Sequence, residues 1–334
     1  MTRSAAARAR GSIRLPDMQQ RVVLAIDIGG TKLAVGVVDE GGRVLESRRA
    51  PNPNPRSGGD DGESVMQSLL ALIDELGADR AGYGGVGVGC GGPMRWPAGE
   101  VSPLNIPSWR DFPLRARLAE EFGVPVRLHN DAVCLAVAEH WRGAGQGVRN
   151  VLGMVVSTGV GGGLILGDRL IDGASGNAGH IGHAIVHEFE PECRCGAVGC
   201  LEAIASGPNL SGWAHAQGWR EGHPPEQRAG VDLVEDARRG DKIALAAMHR
   251  AGRALGIAIA TATTLCDLEV VAIGGGLSQA GPLLFDPLEA TLRERLRLEF
   301  ARSVRVVPAG LGQEAGLVGA AALVLRADRY WSAD

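Results

Sequence analysis

The chain has 334 residues, 45% of them hydrophobic and 22% charged, with a formal net charge of -4. That length is too great for one small core and suits two lobes, and the composition is that of a globular cytosolic protein. The charge gives no electrostatic reason for a nucleic acid or an anionic membrane as partner, and no stretch reaches the ~18 apolar residues of a membrane span.

Residues 1–20 carry four Arg and no sustained apolar run. They read as a solvated tail and not as a secretory signal, with Met18 as an alternative start, and the expected location is cytoplasmic. Residues 22–28 form the first apolar run, followed by a glycine turn and a second run at 33–38, a strand–turn–strand pattern. A second copy stands at 150–166, so the architecture reads as duplicated. Between the copies, helical spacing predicts a helix over 64–76, and 85–89 reads as a buried strand. A helix over 114–122 stops at Gly123, a strand covers 124–128, and a helix follows over 132–142. Polar residues 213–239 read as an irregular surface excursion. A long Ala-rich helix spans 243–265, a strand 268–273, and a final helix about 314–326 closes the chain. Strands alternating with helices indicate an α/β protein.

Fifty glycines, many clustered beside apolar runs, read as turns approaching a ligand. In Asp27-Ile28-Gly29-Gly30-Thr31-Lys32 the bare glycines let backbone amides approach phosphate oxygens, and Asp27 stands where a carboxylate can hold Mg2+ through water. Ser157-Thr158-Gly159-Val160-Gly161-Gly162-Gly163 has the same construction, so two mirrored turns can grip one polyphosphate. Each joins two strands, unlike a P-loop or a dinucleotide fingerprint. Gly274-Gly275-Gly276 follows a strand and reads either as a wall for adenosine or as a plain turn into a helix.

Asn130-Asp131 ends a strand of an open α/β sheet, where ligand clefts form. A carboxylate there can take the proton of a hydroxyl attacking a γ-phosphate, and Asn130 can hold a neighbouring hydroxyl; a helix N-cap is the plainer reading. His183, Cys193, Cys195 and Cys200 make a Cys3His set, which suits a structural zinc with no open position. Three thiols within eight residues, in a chain read as having no secretory signal, favour metal over disulfides.

With these residues assembled, the chain resembles the ROK family (repressors, open reading frames and kinases) from about Val22 to its last helix. The resemblance implies an actin-like ATPase (ribonuclease H-like) fold with a cleft between two lobes. The implied division is a tail at 1–20, a small lobe of 21–130 plus about 312–334, and a large lobe of 131–311 with the zinc loop. It implies ATP and phosphate contacts at Asp27, Gly29, Gly30, Thr31, Lys32, Thr158, Gly159, Gly161, Gly275 and Gly276, and Asp131 as base for a sugar 6-hydroxyl. Sugar contacts fall to Asn105, Asn130, His180, His183 and Glu202, with His183 serving metal and sugar both. One departure stands out: the glucose kinases of the family read A-G-E-x-G-H, whereas here the stretch is Ala178-Gly179-His180-Ile181-Gly182-His183. A carboxylate only accepts hydrogen bonds, while a neutral imidazole offers one donor and one acceptor. The preferred ring substituent is therefore expected to change, for instance to an acetamido group, as in some N-acetylmannosamine kinases that resemble this stretch.

The function expected is ATP-dependent phosphorylation of a hexose or N-acyl hexosamine, glucose or N-acetylmannosamine foremost. A cyclitol is the alternative ring. The alternative of another class, a sugar-responsive repressor, is disfavoured because about twenty residues precede the first turn, too few for a helix-turn-helix arm. ATP, Mg2+, structural zinc and self-association as a homodimer or higher oligomer complete the expectation.

Overall fold

Apolar runs broken by short turns make the strands, and both halves of the chain use them in the same way. A computed structural model describes residues 22–53, 62–77, 82–220 and 229–332. In the first half β1 (Val22–Ile28), β2 (Lys32–Val38) and β3 (Val44–Pro51) form an antiparallel meander. Helix α1 (Glu63–Asp74) then leads to β4 (Tyr83–Cys90), which pairs parallel with β1. The hairpin β5 (Met94–Arg95) and β6 (Glu100–Val101) and helix α2 (Leu114–Phe122) precede β7 (Val126–Asn130), parallel to β4.

Helix α3 (Asp131–Arg142) enters the second half, where β8 (Val151–Val156), β9 (Val160–Leu166) and β10 (Arg169–Leu170) repeat the meander. Four helices follow: α4 (Leu201–Ala205), α5 (Gly207–Ala216), α6 (Ala229–Arg238) and α7 (Lys242–Cys266). Strand β11 (Val270–Gly274) pairs parallel with β8, and β12 (Arg305–Pro308), beyond α8 (Pro282–Arg295), pairs parallel with β11. Helices α9 (Ala315–Leu325) and α10 (Ala327–Tyr330) end the chain. The two sheets run β3-β2-β1-β4-β7 and β10-β9-β8-β11-β12, the same order with the same strand directions. The expected duplication is borne out.

Three apolar layers hold the halves together. One lies under the first sheet with α1 and α2, and another joins the second sheet to α4 through α8. The third lies between the sheets and draws on β1, α3, α9, β8 and β9. Within it α3 packs on β8 and β9, α9 packs on β1, β4 and β7, and the two helices pack on each other. Their crossing requires glycine: a Cβ on Gly319 would stand 1.7 Å from the carbonyl oxygen of Cys134.

Three differences from the sequence reading have physical causes. The described part of 213–239 is largely helical, in α5 and α6, with Trp219, Leu233 and Val234 buried. Its polar residues disguise this because Asp236 accepts from Trp219 Nε1 at 3.1 Å and from Arg220 Nε at 2.8 Å. Helix α7 is long and apolar enough to cross a bilayer, yet 61% of its most apolar window is buried inside the fold. The last long helix ends at Leu325, and a separate short helix follows. The expected tail at 1–20 lies outside the described residues.

Candidate active site

Two carboxyls define the centre. Asp27 stands near the end of β1, opposite Ala34 on β2 and Gly89 on β4. Asp131 is the first residue of α3, at the C-terminal end of β7. Both keep some exposed area. Burial, and then the charge of Asp131, push the Asp27 carboxyl up to about 7, against the opposing charges of Arg49 and Lys32. Burial likewise raises Asp131, offset by backbone N–H groups and by His180. The Ala132 N–H donates to Asp131 Oδ1 at 2.8 Å and to Asn130 Oδ1 at 3.0 Å. Asn130 is thus the N-cap of α3, and its Nδ2 remains directed to the space beside Gly92.

Each glycine turn joins the first two strands of its own sheet. Gly29, Gly30 and Thr31 join β1 to β2, with Thr31 and the first residue of β2, Lys32, exposed. Asn52, from the end of β3, holds this turn from outside: its Nδ2 donates to Gly29 O at 2.8 Å and its N–H to Thr31 O at 3.0 Å. Asn105 abuts the same turn, for a Cβ on Gly30 would meet its Cβ at 2.4 Å. The second turn is Ser157, Thr158 and Gly159, closed by the Ser157 N–H donating to Gly159 O at 2.9 Å. Glu202 Oε2 accepts from the Val160 N–H at 2.9 Å, which seats that carboxylate against the turn. Gly161 does not belong to the turn. It is a residue of β9, opposite Val155 and packed against Ala132, because three glycines in a row here continue a strand. Gly275 and Gly276 run beside the second turn, Gly275 against the Val156 backbone and Gly276 near Ser157 Oγ.

Nothing in the sequence pattern marked Asn52, Arg49 or Gly316. The last admits Asp27 to the start of α9, since a Cβ on it would lie 2.3 Å from Asp27 Oδ2. The sole signal was a glycine one residue into an otherwise strongly apolar helix.

His180 stands on the other side of Asn130. Its Nδ1 lies 2.9 Å from the carbonyl oxygen of Asn177, which can only accept, so Nδ1 carries the proton. The neutral ring therefore has one free function, the Nε2 lone pair, beside Gly92 and Asn130 Nδ2. This narrows the expectation of a donor and an acceptor: the donor is already used. The ring lies nearly parallel to that of His183, with centroids 6.3 Å apart.

His183 opens the metal-type cluster. One donor atom from each of His183, Cys193, Cys195 and Cys200 lies within 4.8 Å of the others. Cys195 Sγ is 3.6 Å from Cys200 Sγ, and Cys193 Sγ is 3.9 Å from His183 Nδ1. A tetrahedral zinc with thiolate ligands has edges of roughly 3.7 Å, so the residues fit that ion. The Ala197 amide, then the Cys193 and Cys200 thiols, lower the Cys195 thiol to about 7, while burial pushes Cys200 up to about 12. The arrangement offers two glycine turns, a pair of interacting carboxyls, and polar groups from Asn130, His180 and Glu202.

The raised Asp27 carboxyl has a consequence for stability. Its neutral form is favoured in the folded protein, so the stabilisation is complete below the ordinary value of 3.8 and is lost as pH rises through about 7. Asp27→Asn is expected to raise the stability of the ligand-free protein at pH 8 by ~2–4 kcal/mol and to leave it nearly unchanged at pH 4. Thermal or urea unfolding at the two pH values checks this, and equal effects at both would refute it.

The ROK family model matches residues 23–327. Glucokinase of Thermotoga maritima is 32% identical over 92% of this chain and 98% of its own length. N-acetylmannosamine kinase of Shigella flexneri is 34% identical over 90% and 97%. Among solved structures, a ROK family glucokinase from Streptomyces griseus in complex with glucose and AMPPNP superposes with a TM-score of 0.76 at 34% identity, over 90% of this chain and 98% of that one. With the duplicated sheets, the paired turns and the Cys3His cluster in place over almost its whole length, this chain belongs to the ROK family.

Proposed function

We propose that the chain is an ATP-dependent sugar kinase that phosphorylates the 6-hydroxyl of a hexose or N-acyl hexosamine. The observation that supports this reading is the Asp27–Asp131 pair, close enough for one charge to act on the other, with a glycine turn following Asp27 and with Asn130 and His180 near Asp131. Relatives named glucokinase and N-acetylmannosamine kinase, and the nucleotide and glucose bound by the Streptomyces griseus structure, point the same way.

In this reading Gly29, Gly30, Thr31 and Lys32 meet the phosphates from one sheet, and Thr158 and Gly159 meet them from the other. Gly275 and Gly276, beside the second turn, face the nucleoside. Mg2+ neutralises phosphate charge when the nucleotide is bound, and Asp27 would hold it through water. Asp131 takes the proton as the hydroxyl oxygen bonds to the γ-phosphorus and the bond to the β,γ-bridging oxygen breaks. Its raised carboxyl suits the task, since a base nearer neutrality accepts a proton more readily. Asn105, Asn130, His180, His183 and Glu202 orient the ring. The lobes are 21–130 with about 312–334, and 131–311; this division follows the two sheets and the return of α9 to the first. His183, Cys193, Cys195 and Cys200 would hold a zinc ion, which would fix the His183 ring and the start of α4, where Glu202 stands. Self-association belongs to the same reading, and Leu265, Leu298 and Phe300 supply exposed apolar surface for it.

A coupled ADP-release assay across glucose, N-acetylmannosamine, N-acetylglucosamine, mannose and a cyclitol panel tests the assignment. Asp131→Asn is expected to lower kcat by ~10²–10⁴-fold with sugar binding retained. Turnover near the wild-type rate removes Asp131 from its role. Because His180 offers an uncharged lone pair, it takes a hydrogen from a ring hydroxyl or an acetamido N–H without the charge of a carboxylate. His180→Glu should shift the kcat/KM ranking toward glucose by about tenfold, and an unchanged ranking counts against this account. Freshly purified protein is expected to hold about one zinc per chain, lost with part of its thermal stability in Cys195→Ser. Elemental analysis that finds the cluster without zinc sinks the metal assignment.

A further inference from the structure

We propose that Asp172 is a positioning residue for the proton-accepting step: through His129 it fixes the Asn130–Asp131 segment, and through its own backbone it fixes the loop that carries His180. The inference rests on the kinase reading above.

His129 is fully buried on β7, and Asp172, just beyond β10, is 7% exposed. The Asn130 N–H donates to His129 Nδ1 at 2.9 Å, so that nitrogen is unprotonated and the ring proton sits on Nε2. His129 Nε2 in turn lies 2.9 Å from Asp172 Oδ1. The other oxygen, Oδ2, accepts from Ser332 Oγ at 2.6 Å. A chain of hydrogen bonds therefore runs from Asp172 through His129 to the Asn130 amide. Asn130 Oδ1 continues it to the Ala132 N–H, which also donates to Asp131 Oδ1. Were the ring proton to move to Nδ1, or a second proton to arrive there, Nδ1–H would oppose Asn130 N–H and the chain would break. Asp172 holds the one tautomer that keeps it intact.

The same residue anchors the flank opposite the base. Asp172 O accepts from the Ala178 N–H at 3.1 Å, closing the loop that leads to His180, whose Nδ1 is held by Asn177 O. The loop is braced a second time by the end of the chain. Trp331, 8% exposed, meets Trp96 edge-on at 5.9 Å, and Trp96 packs so tightly on Gly176 that a Cβ there would approach it to 2.1 Å. One buried residue thus ties three segments together: its carboxylate holds the end of β7 through His129 and the C-terminal segment through Ser332, and its backbone carbonyl holds the loop that bears His180. An Asp–His pair that merely glued the core would, when cut, weaken every step alike. A positioning pair acts selectively, on kcat and the sugar side and not on the nucleotide side.

The test compares Asp172→Ala, Asp172→Asn and His129→Gln with wild type, using the sugar that wild type turns over best, together with thermal melting. Asp172→Ala should lower kcat about 10–100-fold and raise sugar KM several-fold, with the KM for ATP within about twofold of wild type. Asp172→Asn keeps an acceptor oxygen for His129 Nε2–H and should recover kcat to within about threefold. His129→Gln keeps a donor toward Asp172 but loses the acceptor for Asn130 N–H, and should cost about tenfold in kcat with the KM for ATP within about twofold of wild type. Wild-type kinetics in both Asp172→Ala and His129→Gln overturn the proposal. So does a parallel rise of both KM values in Asp172→Ala with His129→Gln unaffected. If Asp172→Ala does not fold, His129→Gln decides by itself. A wild-type protein whose ADP release is raised by none of the sugars or cyclitols tested overturns the kinase reading, and this inference with it.

Discussion

Two carboxyl groups share a place where water is scarce, and much of the fold exists to hold them there. Left alone, each would be ionised in water; brought together inside the protein, each is pushed toward its neutral form by burial and Asp27 further by the charge of Asp131. The surroundings answer unequally. Asp131 sits at the start of α3, where an amide N–H bonds its Oδ1 and the helix N-terminus favours negative charge. Asp27 has the charges of Arg49 and Lys32 to offset its burial only in part, and α9 presses against its oxygen at Gly316. The difference suits two tasks. A carboxylate already supported by fixed donors can take up a proton at a set position, while one kept under tension gains most when a cation arrives beside it.

The duplicated sheets explain how such a pair forms from a single chain. Each half begins with a strand, a glycine turn and an antiparallel strand, and each completes its sheet with two parallel strands. Stacked on one thin shared layer, the halves bring Asp27 and Asp131 close enough for one charge to act on the other. That layer is α3 and α9, and their crossing at Gly319 leaves no space for even a methyl group. The helices are also what the site is built from, because Asp131 starts one and Gly316 lies in the first turn of the other. Packing density in the middle of the molecule and the position of the carboxyls are therefore one constraint.

Features that the sequence made legible are local in the chain. Asp27 through Lys32 spell a turn in six residues, Asn130-Asp131 mark a strand end in two, and the Cys3His cluster declares itself within eighteen. Periodicity placed α1, α2, α3 and α7 to within a residue or two at most ends, since each buries an uninterrupted apolar stripe. What stayed hidden depends on partners far apart along the chain. Asn52 is ordinary until it is seen holding the Gly29 turn, Gly316 until it meets Asp27, and Asp172 until it meets His129, 43 residues away. Gly161 misled for the opposite reason: a glycine run looks like a turn, yet here β8 pairs with it residue by residue, and α3 occupies the room its side chains would take. Helices α5 and α6 escaped notice because their polar surface is spent on one another's neighbourhood, through Asp236, Arg220 and Trp219.

His180 shows how a backbone atom can decide what a side chain offers. From the residue type alone an imidazole gives a donor or an acceptor, and the choice is open. The Asn177 carbonyl closes it by taking the ring proton on Nδ1, which leaves a lone pair beside Asn130. In hydrogen-bond polarity the result matches the carboxylate that the glucose kinases carry here; in charge it does not. An imidazole beside the raised carboxyl of Asp131 adds no negative charge to a centre that already holds two acids, whereas a glutamate would raise both. In the proposed kinase reading, the exchange of Glu for His keeps the direction of the hydrogen bond, removes a negative charge from beside Asp131, and leaves the choice of ring substituent to shape.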